Sequence, residues 1–516
     1  MSNKFANTAI LITSITLLSK LAGFIRDVIM AAAYGTTVNS DAYLMAQSIV
    51  GVTTGLLIVA LGTTFIPVMS DYLAHRSKDE TNKFLNVVYT ISLTLSGLLC
   101  IFGMLFTDEL VTLFAPNFTT EAHELTVQLT LMLLPMMILT AIINLNNAKL
   151  QNHGSYMVAA AIAFPMNIVM IMTMIFLTDI FGIQGLTISF VIGTLLQIVF
   201  QLPYTRKLGY RFRLDFDLRE DGLRRIGILI IPIMIGTGIQ QINTMVDRIL
   251  ASGLAEGSIA ALTFSNRLSI FIIGLLTAAV GSVYYTSMSN FFTTGNDLLF
   301  KKLLRNMVNV SCLLIIPASV GLIVLRLPIV QLIFERGMFD SSASEMTATA
   351  LLFYTFGLIG FLLRDVISRA FYAIKDTKTA MINGSIAVVI NIIASMILVR
   401  YMGLGGLALG TSISAMVSTL LLTISLYKKI GDFGLRIITV TLIKIVIASI
   451  VMALSVYYSY NSIFNKFQNN SIAVIVSIII GACIYGALVI VLKIEEVRVF
   501  QSMFFTRLGL FKKKEN

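Results

Sequence analysis

Charged residues are scarce in this chain of 516 residues. Only 12% of the positions are Asp, Glu, Lys or Arg, whereas 57% are hydrophobic, and the charged share is about half that of a soluble domain. A single soluble core could not bury this much apolar surface, but the hydrocarbon of a bilayer solvates it. The composition therefore excludes a soluble globular protein and indicates a membrane protein.

Cysteine and histidine are also rare. Cys100, Cys312 and Cys483 each lie in an apolar run, far apart in the sequence, which is typical of small core side chains rather than of a disulfide framework or a metal site. The three histidines all fall in predicted loops. The sequence therefore predicts neither a catalytic nor a metal-binding histidine cluster.

Motifs of soluble enzymes are missing as well. The chain contains no G-x-x-x-x-G-K-[ST] for ATP, no H-E-x-x-H and no G-x-S-x-G. We therefore predict that the protein is not an enzyme, that it is not a pump with its own nucleotide domain, and that it holds no cofactor beyond a coupling cation.

Long apolar runs fill most of the chain. A spanning helix needs roughly 20 mostly apolar residues, and the runs lack the alternation of a barrel strand. The first run, 7–34, is too long and too charged to be a cleaved signal peptide. We predict an all-α polytopic membrane protein with about 14 spans. The predicted spans are 7–34, 41–70, 84–114, 124–148, 156–178, 183–204, 226–252, 257–290, 302–326, 345–373, 379–400, 404–427, 437–460 and 470–493.

Basic residues alternate between the predicted connections. The even-numbered connections carry most of them, whereas only Arg326, Arg336, Arg400 and Lys466 lie in the odd-numbered ones. By the positive-inside rule both termini are cytoplasmic, so the net charge of +11 reflects orientation rather than nucleic-acid binding. The long basic stretch 206–225 fits equally an ordinary cytoplasmic loop or an amphipathic surface helix touching anionic headgroups.

An internal repeat relates the two halves of the chain. Four short matches recur at a nearly constant offset that spans six helices, which predicts two six-helix lobes about a pseudo-twofold axis along the membrane normal. The matches are 27–31 with 247–251, 181–186 with 402–407, 206–209 with 428–431, and Asn167 with Asn391. The predicted domains are the N-lobe 1–205, the basic cytoplasmic linker 206–225, the C-lobe 226–430, two further spans in 431–493, and the basic cytoplasmic tail 494–516.

Charges inside predicted spans each require a reason, because burying one near mid-bilayer costs about 2.5–3.5 kcal/mol on insertion scales. Arg369 and Lys444 lie near cytoplasmic ends and are interpreted as structural. Asp41, at the start of a predicted span, fits the role of a helix cap as well as a role in the site. Arg26 and Arg267 lie in the outer halves of pseudo-equivalent helices with Asp27 as a single nearby carboxylate. They favour binding of a substrate phosphate, since a guanidinium holds two oxygens at once.

Several motifs carry a family resemblance along the whole chain. On them the sequence resembles the MurJ (MviN) lipid II flippases of the multidrug/oligosaccharidyl-lipid/polysaccharide exporter superfamily. The motifs are Ser19-Lys-Leu-Ala-Gly-Phe-Ile-Arg-Asp27, Ser40-Asp-Ala-Tyr43 and Thr64-Phe-Ile-Pro67 in the first half, and Ser265-Asn-Arg-Leu268, Leu332-Ile-Phe-Glu-Arg-Gly-Met-Phe339 and Arg369-Ala-Phe-Tyr-Ala-Ile-Lys-Asp-Thr-Lys378 in the second.

The resemblance implies export of lipid II, an undecaprenyl-diphosphate-linked peptidoglycan precursor, across the bacterial cytoplasmic membrane. It implies alternating access through a cationic cleft between lobes, with the lipid tail in a groove at 431–493. Family positions that line or gate the cleft match Lys20, Arg26, Asp27, Asp41 and Arg267. A cation site of some members, for sodium or a proton as coupling ion, maps onto Asp247, Asn391, Ser395 and Thr411, with Ser395 in place of a carboxylate.

Three other functions compete with lipid II export. A flippase for another lipid-linked oligosaccharide, of the capsule or teichoic-acid type, is the alternative, because Lys20 replaces a usual arginine and the span containing 52–60 lacks the arginine and glutamate of some members. A drug/cation antiporter would favour an acidic or neutral cleft, against the basic surplus here. A scaffold without transport gives no reason to bury Arg26 and Arg267.

Overall fold

The computed structural model describes residues 2–55, 60–293 and 296–496, and the backbone of these residues is almost entirely helical, without a strand. Helix ends are set by local chemistry, as in α4, where Ser77 and Glu80 form a capping box. The helices are α1 (Ser2–Tyr34), α2 (Val38–Thr54), α3 (Ala60–His75), α4 (Lys78–Leu105), α5 (Thr107–Phe114), α6 (Thr120–Leu133), α7 (Met136–Asn152), α8 (Tyr156–Ala161), α9 (Ala163–Phe176), α10 (Thr178–Lys207), α11 (Asp221–Ser252), α12 (Ser258–Thr293), α13 (Asp297–Phe334), α14 (Ser341–Ala373), α15 (Thr377–Met402), α16 (Leu404–Ile430), α17 (Leu435–Phe467) and α18 (Asn470–Val491).

The helices confirm the fold class at the level of an all-α polytopic membrane protein. Among the described residues, eleven helices are long and apolar enough to cross a membrane, or twelve if the pair α6 and α7, bent by 41°, counts as one broken span. The predicted first span lies in α1, and the second falls on α2 and α3, with 56–59 outside the described residues. Neither is among the eleven, so the count of fourteen stays a prediction.

The chain divides into two compact units. Unit 1 comprises 1–264 and 336–343, and unit 2 comprises 265–335 and 344–516. The lobe boundaries expected from the repeat stay a prediction. Most of the predicted cytoplasmic tail, from residue 497 onwards, lies outside the described residues.

Unit 1 has an aromatic core between α3, α4, α7 and α11. The Tyr72 and Phe84 rings stack with centroids 4.3 Å apart, and Phe65 stacks on the other side of Phe84 at 5.6 Å. The Tyr72 hydroxyl donates to Glu220 Oε1 at 2.6 Å, directly before α11. A Cβ on Gly222 would lie 2.4 Å from the Phe84 ring. These contacts fix the entry of α11 against the core.

Unit 2 relies on small residues where its helices cross. A Cβ at Gly406 would lie 2.3 Å from Leu398 O, and one at Gly360 would lie 2.8 Å from the backbone of Ala415, so α14 and α15 approach the backbone of α16 closely. Both charges interpreted as structural have structural partners. Arg369 pairs with Asp365 one turn away at 3.0 Å, and Lys444 Nζ donates to the Leu492 carbonyl at the end of α18, at 3.0 Å.

Left-handed backbone conformations recur at the repeat offset. Gly182 (φ 54°) and Gly403 (φ 52°) are 221 positions apart, and Gly209 (φ 73°) and Gly431 (φ 75°) are 222 apart. Lys375 (φ 60°) likewise lies 221 residues after Gly154 (φ 77°). Matching turns therefore join matching helices within each unit.

The stretch between α10 and α11 is not a surface helix. The described residues 208–220 are turn and extended backbone, laid along α4. The amphipathic-helix alternative for this stretch was wrong, because backbone N–H groups here bond side chains of α4 instead of each other.

Candidate functional site

A buried ion pair lies in the C-terminal half of α1. Arg26 donates from Nε and Nη2 to one oxygen of Asp27, at 3.1 and 2.8 Å, and from Nη1 to Asn167 Oδ1 at 3.1 Å. The Arg26 side chain is only 13% exposed, and Asp27 and Asn167 are buried. The Asp27 carboxylate and the Asn167 amide accept from different nitrogens of the guanidinium, so they fix its plane. Of the two, only Asp27 offsets its positive charge.

Packing of α1 against α8 and α9 positions this pair. Ser19 Oγ donates to the Ala160 carbonyl at 2.8 Å, two turns before Arg26 meets Asn167. Asn167 was not predicted as a site residue. The signal that could have found it is its place in the repeat, where it pairs with Asn391.

Lys20 lies on the same helix as the pair but is exposed. Seven residues separate it from Asp27, which places both on one face of α1 about 10 Å apart along the axis. The substrate-binding roles expected for Lys20, Arg26 and Asp27 stay predictions.

Asp41 holds the start of another helix. Its Oδ2 accepts the Gly257 amide and its Oδ1 accepts the Ala260 amide, both at 2.8 Å. The side chain is buried, and the N-cap of its own helix, Thr37, makes no side-chain cap bond. The capping interpretation is confirmed by this geometry, although the helix that is capped is α12 and not α2. Participation of Asp41 in substrate binding stays a prediction.

Arg267 lies on α12 beyond the point where that helix passes from unit 1 to unit 2. Its side chain is half-buried, next to the buried Leu268. The other predicted phosphate ligands belong to unit 1. The joint binding of a phosphate by Arg267 and Arg26 therefore stays a prediction from the sequence.

A partly buried carboxylate on α11, Asp247, has one buried oxygen without a hydrogen-bond partner among the described residues. Asn243 Nδ2 donates to Asp247 Oδ2 at 3.4 Å, whereas Asp247 Oδ1 and Asn243 Oδ1 are buried without a hydrogen-bond partner among the described residues. Both side chains lie on one face of the helix, one turn apart. Two such oxygens match the hard ligands that sodium prefers, and a proton would satisfy the carboxylate equally.

The other three residues expected at the cation site lie in unit 2. Ser395 Oγ donates to Asn391 Oδ1 at 3.0 Å on α15, and both are buried. Thr411 on α16 donates to its own helix, to the Leu407 carbonyl at 3.0 Å. The structure thus brings Asn391 and Ser395 together, while Asp247 belongs to unit 1. Within the described parts of the chain no cluster of three or more His, Cys, Asp or Glu side chains could hold a metal ion.

Comparison with known proteins gives a match along almost the whole chain. The family model described as lipid II flippase MurJ matches residues 30–478. A probable lipid II flippase MurJ of Vibrio cholerae is 30% identical over 437 residues, which cover 82% of this chain and 83% of that protein.

Solved structures agree with the sequence comparison. A lipid II flippase MurJ in an inward closed conformation superposes with a TM-score of 0.79 and 26% identity, covering 97% of this chain and 99% of the other. An inward-facing multidrug resistance MATE family transporter of the MOP superfamily has a TM-score of 0.67 at 18% identity, over 83% and 99% of the two chains. The second likeness shows the fold alone.

Proposed function

Because the chain belongs to the MurJ family of lipid II flippases, we propose that it moves lipid II from the cytoplasmic to the outer leaflet of the bacterial cytoplasmic membrane. What carries this function is the agreement with lipid II flippases along nearly the full chain, in both sequence and fold. The protein is accordingly a multi-pass membrane transporter, and peptidoglycan synthesis depends on the lipid it delivers.

The proposed contact with the substrate diphosphate centres on Arg26. A guanidinium already bonded to Asp27 and Asn167 is oriented before the anion arrives, so little side-chain entropy is lost on binding. The incoming diphosphate would displace Asp27 as the partner of the fork, since a polyanion neutralises more positive charge than one carboxylate. Lys20, exposed on the face of α1 that carries Asp27, would add a mobile positive charge.

The proposed architecture comprises fourteen spans, two six-helix lobes, a lipid-tail groove at the last two spans and cytoplasmic termini. Three pairs of left-handed residues at offsets of 221 or 222 support the repeat. The twelve predicted spans after the first two each fall on one helix or on two consecutive helices. The basic residues of the even-numbered connections support the orientation.

The proposed transport cycle is alternating access, biased by substrate binding and by the membrane potential. A coupling cation, sodium or a proton, is proposed at Asp247. Its support is the pair of buried oxygens without partners, on Asp247 and Asn243. Binding of a cation there would satisfy two acceptors whose burial is otherwise costly.

The experiment that tests the function is complementation of bacteria depleted of their own lipid II flippase, combined with an assay for lipid II exposed on the outer leaflet. Rescue with restored exposure is expected. A well-expressed protein that restores neither would contradict the function. Rescue of a strain deficient in capsule or teichoic-acid lipid export, in place of the depleted strain, would assign the protein to another lipid-linked glycan.

A further inference from the structure

The segment between α10 and α11 follows α4 as an extended chain. The amides of Arg211, Arg213 and Asp215 donate to Asn82, Asn86 and Thr90, at 3.0, 3.1 and 3.0 Å. Every second residue of the segment thus meets every fourth residue of the helix. The match has a geometric reason, because two residues of a strand rise about 6.6 Å and four residues of a helix about 6 Å.

Large apolar residues alternate with the bonded ones. Phe212 and Leu214 lie between them, and Phe216 and Leu218 continue the alternation; all four are exposed, at 56%, 71%, 60% and 69%. Such a row on a water-facing surface would be unfavourable, whereas contact with lipid makes it favourable.

The row lies beside the start of a candidate membrane span. α4 begins at Lys78, and Thr90, the last of the three hydrogen-bond partners on this helix, lies about 18 Å along it. The two ends of the segment continue directly into α10 and α11, which are candidate spans themselves. In the proposed orientation, with cytoplasmic termini, the segment meets the cytoplasmic leaflet.

A basic cavity lies beside the apolar row. It encloses about 590 Å³ between the start of α4 and the segment. Four basic side chains and two acidic ones line it: Lys78, Lys83, Arg211, Arg213, Asp79 and Asp215.

One of these basic groups is already neutralised. Lys83 pairs with Asp217 at 2.7 Å. Lys78, Arg211 and Arg213 have no ion-pair partner within the described part of the chain. Asp79 and Asp215 in the same lining offset part of this charge. The positive charge that remains, next to an apolar row, matches the two ends of an anionic lipid.

We propose that the cavity and the apolar row together bind an anionic phospholipid of the cytoplasmic leaflet. The headgroup phosphate lies between Arg211, Arg213 and Lys78, and the acyl chains lie along Phe212, Leu214 and Phe216. The site is separate from Arg26 and does not depend on which lipid is transported.

Binding is tested by native mass spectrometry of the full chain with phosphatidylglycerol and phosphatidylcholine. The test variant is Arg211→Gln/Arg213→Gln, and the matched control is Arg206→Gln/Lys207→Gln, which removes two exposed charges next to the segment but outside the cavity. Preference for phosphatidylglycerol should fall about five-fold for each arginine removed from the cavity and change little in the control. Equal losses in both variants, or none in either, would overturn the proposal.

Insertion of the apolar row is tested independently by fluorescence. The chain contains no tryptophan, so Leu214→Trp creates a single reporter. Brominated lipids should quench it strongly, and they should quench a reporter at the exposed His75 weakly. Equal quenching at both positions would contradict insertion.

The source of the lipid is tested by competition. Phosphatidylglycerol bound at the cavity should resist exchange by undecaprenyl diphosphate added in equal amount. Preferential replacement by the diphosphate would show that the cavity serves the transported lipid, and it would overturn this assignment while leaving the flippase function intact.

Discussion

Gly182 and Gly403, 221 residues apart, have the same unusual backbone conformation. Their φ and ψ values are 54° and −148°, and 52° and −128°. Both lie at the junction of two consecutive helices, Gly182 within the first turns of α10 and Gly403 between α15 and α16. Residues other than glycine are strongly disfavoured in this region of φ and ψ.

Alanine at either glycine should therefore destabilise the protein. Gly182→Ala and Gly403→Ala should each lower the free energy of unfolding by about 1–3 kcal/mol, since the added Cβ strains the backbone. Thermal unfolding in detergent measures this. Gly227→Ala is the control, because it lies inside α11 with open space around it and should be neutral or stabilising. Equal melting temperatures for all three variants would contradict the strain argument.

Substitutions at Arg26 should separate its charge from its geometry. Arg26→Ala should abolish complementation without loss of protein, and Arg26→Lys should restore little, because an ammonium cannot bond Asp27 and Asn167 in one plane. Full rescue by the alanine variant would exclude Arg26 from substrate binding. Arg267→Ala should abolish rescue as well, which is the test of its predicted joint role.

Asn167 should act by positioning Arg26. Asn167→Ala removes one charge-assisted hydrogen bond and should slow lipid II export about ten-fold, while the protein still folds. Asn391→Ala, at the equivalent place in the repeat, is the matched control and should leave the orientation of Arg26 unchanged. The positioning role requires that Arg26→Ala/Asn167→Ala be no slower than Arg26→Ala alone.

Removal of the Asp41 carboxylate should destabilise the folded protein, and any loss of transport should follow from that destabilisation. Asp41→Ala leaves the buried amides of Gly257 and Ala260 unbonded and should destabilise the protein by about 2 kcal/mol or more. Glu256→Ala is the control, since Glu256 accepts the exposed Val38 amide. If Asp41→Ala unfolds like the wild type yet transports nothing, the residue acts on the substrate and not as a cap.

Asp376, in the loop between α14 and α15, should make the stability of the folded protein depend on pH under acidic conditions. Lys429 Nζ, 2.5 Å from Asp376 Oδ2, and the hydroxyl and amide of Thr379 lower the pKa of Asp376 to about 2. Since the ordinary value is near 4, the ionised form stabilises the folded protein above pH 4. That contribution is lost as the pH falls from 4 to 2.

Asp376→Asn should accordingly melt below the wild type at pH 6, and the difference should close between pH 4 and pH 2. Melting curves across this range measure it. Lys429→Met should raise the pKa of Asp376 and move the loss to higher pH. A difference that stays constant with pH would rule out this titration.

Sodium should stabilise the protein through Asp247. If sodium binds there, melting in sodium chloride should exceed melting in potassium chloride of equal ionic strength. The gain is about 1.4 kcal/mol when sodium is about ten-fold above its Kd. Asp247→Asn should abolish the gain, and Asp365→Asn, also within a span, should keep it. Sodium-insensitive melting of the wild type would leave a proton as the coupling ion.

Sequence reasoning predicted the positions of the helices well and the contacts between distant segments poorly. Apolar runs and alternating basic connections determine where helices cross a membrane, so the predicted spans from residue 84 onwards fall on helices. Hydrogen bonds between distant segments leave no periodic signal. Nothing in the sequence around Asp41 indicates that its carboxylate caps α12. The capped amides, of Gly257 and Ala260, lie 216 and 219 residues further along the chain.

Lys149 is a second residue whose surroundings the sequence did not reveal. Its basic charge contributed to the prediction of a cytoplasmic connection, yet it lies buried within α7 with its ammonium 5.2 Å from the Tyr89 ring. The Tyr89 hydroxyl in turn donates to Asn146, and Asn146 donates to the buried Gln201 of α10. Such a network depends on three helices meeting, which a single sequence does not encode locally.

Every second residue of 211–215 bonds every fourth residue of α4. This spacing also constrains how the sequence of the segment can change. Loops usually tolerate insertions and deletions, but one residue added here would shift the charged and apolar positions of the segment relative to their hydrogen-bond partners on α4. Functional relatives should therefore vary in residue type along this stretch while keeping its length, and a tag inserted after Arg211 should disrupt folding.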